Sequence, residues 1–230
     1  EATMELSDIS NLAGHLAGAD KGSFVDNRYL DRLSGLTAED LRRYGQSYIW
    51  SSGLRRITDR PYFIDKMPNN WMHVGMILSI LPNAKIIDAR RNPMDCGVSN
   101  FRQLYGQGQG FSYDLRHFGA YYADYVRLMR HFDDVISKRI HRVIHEELIA
   151  DPEPVVRGLL QYLDVPFDEA CLRFYENKRV VRTASSEQVR RPLNREGVDQ
   201  WKRYEARLDP LREALGTAAV SYPEVPDDLP

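Results

Sequence analysis

From residue 61 onward, short and densely apolar runs alternate with longer stretches whose apolar positions recur every three or four residues. Tyr62-Phe63-Ile64, Lys85-Ile86-Ile87-Asp88-Ala89 and the run 140–144 are too short for helices and rich in aromatic and β-branched residues, a pattern that predicts buried strands. The period of the third run is blurred by Arg142. Between and after the runs the spacing predicts helices. One covers 71–81 and is closed by Pro82-Asn83. Another starts at Pro93, with Asn92 as its N-cap and Asp95 in its first turn. A long one over 114–131 places Phe118, Tyr121, Tyr122, Tyr125, Leu128 and Met129 on its buried side. The helix over 152–163 carries the apolar stripe Val155, Val156, Leu159, Leu160 and Leu163, and a last one spans 201–215. Strands alternating with helices of this length predict an α/β fold, a parallel sheet with helices on its faces.

The first 60 residues read as helices with polar joints. Thr37 and Asp40 have the spacing of a capping box for a helix over 38–48, with Leu41, Tyr44 and Tyr48 on one face. A shorter helix is expected over 23–33. Residues 179–195 are polar and basic without apolar periodicity, and the Pro- and Asp-rich stretch after Gly216 predicts a loose tail.

Composition narrows the partners. A chain of 230 residues with 43% hydrophobic content suits one sizeable core. Thirty-one basic against 33 acidic residues create no global field for nucleic acid or a membrane surface, so neither is an expected partner and any anion site must be local. Cys96 and Cys171 make no disulfide framework, and no apolar run approaches the roughly 20 residues that cross a bilayer. The start of the sequence has neither the basic nor the apolar region of a signal peptide, and a cytoplasmic location is expected.

Three places carry candidate chemistry. In open α/β sheets ligands bind where strand ends meet helix starts, and there free backbone N–H groups and the helix dipole favour an anion. Arg91 stands at such a junction with a fork of donors suited to phosphate, and Ser99 adds a hydroxyl two turns along. A surface arginine at a capped helix start meets the same spacing and, on spacing alone, ranks slightly ahead. Lys66 follows a β-run at a sheet edge, where a point charge would meet a transferring anion; taken by itself, a solvated loop lysine is the simpler reading. The segment 179–194 gathers Arg179, Arg182, Arg190 and Arg191 with Thr183, Ser185 and Ser186. Phosphate binding is the better reading of it, with a basic linker as the alternative. His141 and His145, four apart, have no third ligand nearby, and no metal is expected. Tyr29, Trp50 and Tyr113 are candidates to line an acceptor pocket, a pattern that aromatic core residues meet equally.

In order along the chain, Phe63-Ile64-Asp65-Lys66-Met67-Pro68-Asn69-Asn70, Pro82-Asn83-Ala84-Lys85-Ile86-Ile87, Arg90-Arg91-Asn92-Pro93-Met94-Asp95 through Ser99, His145-Glu146-Glu147-Leu148 and Arg182-Thr183-Ala184-Ser185-Ser186-Glu187-Gln188-Val189-Arg190-Arg191-Pro192 resemble the sulfotransferase superfamily. Bacterial sulfotransferase domains behind tetratricopeptide repeats, and tyrosylprotein sulfotransferases, are the nearest likenesses. The resemblance implies a P-loop-type sheet flanked by helices and the donor PAPS (3′-phosphoadenosine 5′-phosphosulfate), with PAP as product and no metal. Arg91 and Ser99 would grip the 3′-phosphate, and Lys66 would face the transferring sulfuryl group. Ser185, Ser186, Gln188, Val189, Arg190, Arg191 and Asn194 match the loop that folds over the nucleotide, with Ser185 near the phosphosulfate bridge. His145 stands where relatives often carry tyrosine in contact with the nucleotide. Glu1, in Glu1-Ala2-Thr3-Met4-Glu5, resembles the region of the general base. The acceptor would be a small molecule, glycan or peptide, and tetratricopeptide repeats would lie upstream.

The resemblance gives one domain over 1–215, made of a helical region (1–60) and a nucleotide-binding core with its C-terminal loop and helix (61–215), followed by a tail (216–230). Relatives also open with a strand and a Pro-x-Ser-Gly-Thr-Thr-type loop that cradles the 5′-phosphosulfate. Gly14, Gly18 and Gly22 are not followed by that pattern. The expectation is therefore a fold lacking its first strand-loop-helix, in a chain that starts downstream of the loop. Two alternatives stay open: a non-catalytic nucleotide-binding or scaffold module of the same fold, and an ATP-using kinase, which would need a Walker lysine and Mg²⁺.

Overall fold

The structure, a computed structural model, describes Ile9, Ala13 and residues 27–226 apart from 55, 57, 106–108 and 179–186. Backbone contacts divide the chain into the units Glu1–Ala84 and Lys85–Pro230. Its described part is mostly helical with a small parallel sheet.

In the first unit, helix α1 (Asn27–Ser34) precedes α2 (Ala38–Gly53), and a 3-10 helix (Pro68–His73) leads into α3 (Val74–Ile80). The capping box is formed: the Thr37 hydroxyl accepts from the Asp40 N–H and the Asp40 carboxylate accepts from the Thr37 N–H. Gly45 lets α2 pass the end of α3, since a Cβ there would lie 2.0 Å from the Ile80 carbonyl oxygen. Tyr62-Phe63-Ile64 is not a strand. Its backbone pairs with no strand among the described residues, and Tyr62 and Ile64 are 64% and 62% exposed. A run with β propensity becomes a strand only when a neighbour takes its hydrogen bonds. Here only the Phe63 side chain is engaged, between the Arg56 guanidinium and the Tyr48 ring.

His73, 5% exposed and edge-on to the buried Tyr29 ring, has an Nδ1 with no partner among the described residues. Burial pulls its pKa down to about 4. The unfolded chain takes up this proton near 6.5 and the folded chain only near 4, so below 6.5 the unfolded state binds more protons and stability falls with falling pH. Urea unfolding followed from pH 7 to pH 4 should show a loss of about 3 kcal/mol from this group. In His73→Gln that slope should flatten by the same amount; an unchanged slope would contradict the assignment.

The second unit contains strand β1 (Ile86–Arg90), helices α4 (Pro93–Phe101) and α5 (Leu115–Val135), strand β2 (Ile140–Ile144), and helices α6 (His145–Ala150), α7 (Pro152–Leu163), α8 (Asp209–Leu215) and α9 (Thr217–Ser221). β1 and β2 pair in parallel from Ile86↔Ile140 to Arg90↔Ile144, with α4 and α5 in the crossover. The Tyr162 hydroxyl accepts from the Ile86 N–H and donates to the Arg139 carbonyl, which ties the two strand starts. Met94 and Val98 of α4, Phe118, Tyr122 and Val126 of α5, and Leu208, Leu211 and Leu215 form one core. Gly119 permits the close approach of α5 and α8, because a Cβ there would stand 2.6 Å from that of Ala214.

The blurred period at Arg142 now has its cause. The Asp88 carboxylate accepts from Arg90 (2.9 Å), from Arg142 (2.9 Å) and from the Tyr125 hydroxyl, and Arg142 also reaches Asp133 (2.8 Å). A charged ladder therefore crosses the sheet where an apolar face was expected.

Two helix and tail expectations are corrected. The single helix over 201–215 is instead a 3-10 segment (Gln200–Arg207) followed by α8, because the Pro210 ring in a continuous helix would clash with the carbonyl of residue 206. The tail is not loose through residue 226: Tyr222 donates to Glu146, Arg130 donates to the Pro226 carbonyl, and Val225 packs on the core. No helix among the described residues is long and apolar enough to cross a membrane.

Candidate functional site

The turn Arg91-Asn92 leaves the C-terminal end of β1 and enters α4. The Asn92 carboxamide oxygen accepts from the N–H groups of Met94 (3.0 Å) and Asp95 (3.2 Å), which fixes the helix start. The remaining donors of that start are also taken. Asn92 N–H goes to the Glu146 carboxylate (3.1 Å), Pro93 has none, and Cys96 N–H goes to the Asn92 carbonyl (2.8 Å). Free backbone N–H groups for an anion are therefore missing from residues 92–96 of this turn, since the Asn92 cap, the Asn92 carbonyl and the Glu146 carboxylate consume them. Among these residues and Arg91, the guanidinium is the group placed to hold an anion.

Arg91 is the cation at that place. One of its terminal nitrogens donates to the Gly197 carbonyl, while its buried Nε has no partner among the described residues. His145 opens α6 directly after β2 and does not share a strand face with His141, which instead stacks on Tyr162 at 5.1 Å. Burial first, and then the nearby Arg91 charge, hold the His145 pKa below the ordinary value, so at neutral pH it presents an uncharged imidazole beside a guanidinium. The Cys96 thiol is pushed up to about 11 by burial and is no nucleophile at that pH.

A second connection runs from α4 to the basic C-terminal segment. The Asp95 side chain, 2% exposed, accepts from the backbone N–H groups of Asp199 (2.8 Å) and Trp201 (3.0 Å). With the Arg91–Gly197 bond, this docks residues 197–201 against the start of α4. Gln188, Val189 and Arg190 form a 3-10 turn (Gln188–Arg190), in which Arg190 donates to the Asn177 carbonyl. Arg191 and Asn194 are exposed, and the Asn194 side chain accepts from Glu196 N–H (3.0 Å).

Of the residues singled out in the sequence, Arg91 and His145 are brought together, each following one of the paired strand ends Arg90 and Ile144. Ser99 lies exposed on α4, and its hydroxyl makes no hydrogen bond with a described residue. Lys66 belongs to the Glu1–Ala84 unit, exposed and without an ion pair to a described residue. Glu1, Ser185 and Ser186 lie outside the described residues. Among the aromatic candidates, Tyr29 is buried in the first unit. Trp50 is exposed beside an apolar groove of about 700 Å³ that Leu41, Ile49 and Leu81 also line. The Tyr113 hydroxyl is engaged with the Tyr105 backbone. Sequence reading missed Tyr122, Glu146 and Tyr222. Glu146 sat in a quoted motif without a role, and nothing near Tyr222 in the sequence points to residue 146.

Comparison with known proteins gives three matches. The model of the sulfotransferase family matches residues 12–169. A protein of Aquifex aeolicus (strain VF5), described as uncharacterized, is 36% identical over 173 residues, which is 73% of this chain and 23% of its own length. A protein-tyrosine sulfotransferase of Drosophila melanogaster is 36% identical over 77 residues, 30% of this chain and 15% of its own length. The chain thus spans less than two thirds of either relative, at 23% and 15%.

Proposed function

This chain belongs to the sulfotransferase family, and from that premise we propose that its protein transfers a sulfuryl group from PAPS to a hydroxyl or amine acceptor, carried by a small molecule, glycan or peptide. The observation that carries the reading is Arg91: a part-buried cation at the C-terminal end of a parallel strand, with an orphaned Nε and an uncharged His145 beside it. An orphaned buried donor on a permanent cation fits a phosphate, which accepts at several oxygens.

In this proposal Arg91 and Ser99 hold the 3′-phosphate. His145, Gln188, Val189, Arg190, Arg191 and Asn194 contact the rest of the nucleotide together with Ser185 and Ser186. PAPS supplies the sulfuryl group, and by analogy with phosphoryl transfer the charge that moves to the bridging oxygen needs cations and donors around it. Lys66 and Ser185 take that task, and Glu1 takes the proton that the acceptor releases.

Calorimetric titration of the full-length protein with PAP is the test. Arg91→Ala should weaken binding about ten- to a hundred-fold, the worth of a charged hydrogen bond of roughly 1.5–3 kcal/mol. No binding by the unaltered protein, or binding indifferent to Arg91→Ala, would remove the basis of the proposal.

A further inference from the structure

The Arg91 carbonyl and the Asn92 N–H are the two polar ends of one planar peptide group. Both ends are held by side chains from elsewhere. Tyr122 of α5 donates its hydroxyl to the Arg91 carbonyl at 2.7 Å. Glu146 of α6 accepts the Asn92 N–H at 3.1 Å through one carboxylate oxygen, and its other oxygen accepts the Tyr222 hydroxyl. Resting on the nucleotide reading above, we infer that Tyr122, Glu146 and Tyr222 are positioning residues that aim Arg91 at the 3′-phosphate by clamping this single peptide group.

The argument is one of degrees of freedom. Holding the plane restrains both ψ of Arg91 and φ of Asn92, the two dihedrals that set the Arg91 Cα, from which the guanidinium extends, against the cap that starts α4. Turning the plane would break two hydrogen bonds at once. The site is part-buried, with Tyr122 only 6% exposed, so water would not fully replace them. Each anchor also arrives fixed. Tyr122 is set in the core with Phe118 and Val126, and Glu146 lies in the first turn of α6, immediately after β2. Tyr222 follows α9 and is braced by Val225 on the core and by the Arg130 bond to Pro226. Burial, and then Glu146, push the Tyr222 phenol far above its ordinary range, so it stays a donor at any working pH.

Glu146 acts here as a hydrogen-bond acceptor and not as a counter-ion: it makes no ion pair with a described residue. Its charge would by itself oppose an anion at Arg91. Tyr222 falls beyond the 12–169 stretch that matches the family, so this third anchor belongs to a part of the chain that the match does not cover.

The test compares affinities for PAP and for 5′-AMP, which lacks the 3′-phosphate, by calorimetry on the full-length protein. The readout is the ratio of the two dissociation constants, which a general loss of structure would not move selectively. Glu146→Ala should lower the preference for PAP about ten-fold or more, and Tyr222→Phe about three-fold. Glu146→Gln can accept from Asn92 through its oxygen and donate to the Tyr222 oxygen through its amide, and should keep the preference within about three-fold of the original. Should Glu146→Ala fail to fold, Tyr222→Phe and Tyr122→Phe, each lacking one hydroxyl, carry the measurement. A preference abolished by Arg91→Ala yet retained in the clamp variants overturns the clamp and leaves the nucleotide reading in place. A Glu146→Gln variant as impaired as Glu146→Ala also overturns it, since the charge would then be what matters. A protein with no preference for PAP, or one indifferent to Arg91→Ala, overturns both.

Discussion

Replacing Asp88 with alanine should destabilise the protein by about 3–5 kcal/mol, read as a shift of the urea midpoint at unchanged slope. The side chains of Asp88 and Arg90 are 3% and 1% exposed, and the carboxylate is the only acidic group paired with Arg90 among the described residues. Removing it leaves a guanidinium in the interior with the Tyr125 hydroxyl as its remaining named partner. Arg142 suffers less, because it keeps Asp133 and is 26% exposed. The loss is the desolvation of an uncompensated charge and not the net worth of the pair, so a double replacement distinguishes the two. Asp88→Leu combined with Arg90→Met should recover much of the single variant's loss. A double variant less stable than Asp88→Ala would show that the pair itself, and not the stranded charge, sets the energy.

The second large effect is expected at Asp95. Its two oxygens each hold one backbone N–H, from Asp199 and Trp201, in a buried setting. Asp95→Ala leaves both donors without an acceptor at about 1–3 kcal/mol each, so a total of about 2–6 kcal/mol is expected. Asp95→Asn keeps one oxygen acceptor and should lose roughly half as much. The consequence is also local. Residues 197–201 would keep the Arg91–Gly197 bond, the long Arg102–Gln200 bond (3.4 Å) and the Trp201 packing, and limited proteolysis should cut residues 187–199 faster in Asp95→Ala under native conditions. Equal cleavage rates in the two proteins would mean that Asp95 does not anchor the segment. Since Arg91 shares the task through Gly197, the segment carrying Gln188, Arg190, Arg191 and Asn194 is tied at one end to the proposed phosphate cation.

The features legible in the sequence are those whose partners lie a few residues away. The Thr37–Asp40 box and the Asn92 cap close hydrogen bonds over two or three residues, and residue type with spacing suffices to place them. The strand expected over 85–89 is observed at Ile86–Arg90, and the one over 140–144 is observed as Ile140–Ile144. Helices α4 and α5 follow the apolar period that the core of the second unit buries, whereas the α7 stripe supplies no buried residue. Tyr62-Phe63-Ile64 has the same composition as those strands and is not one, because a strand is a pairing and no described neighbour supplies it. Pro210 was a local signal against one helix over 201–215, and the apolar period across that stretch masked it.

The local chemistry of the turn after β1 was written in the chain itself: a cation, a capping amide, a proline at the first helical position and an acid in the first turn. What becomes of its Asn92 N–H and of the Arg91 guanidinium was decided only by the tertiary structure. Glu146 reaches Asn92 across 54 positions, Tyr222 reaches Glu146 across 76, and Gly197 takes a donor of Arg91 across 106. A backbone group near the end of a strand needs some partner, but spacing along the chain does not say which distant side chain folding will deliver to it. Packing of α5, α6 and the C-terminal segment makes that choice: the Asn92 cap already closes the Met94 and Asp95 N–H groups, Glu146 takes the Asn92 N–H, and among the described residues of this turn the Arg91 guanidinium is left to meet an anion.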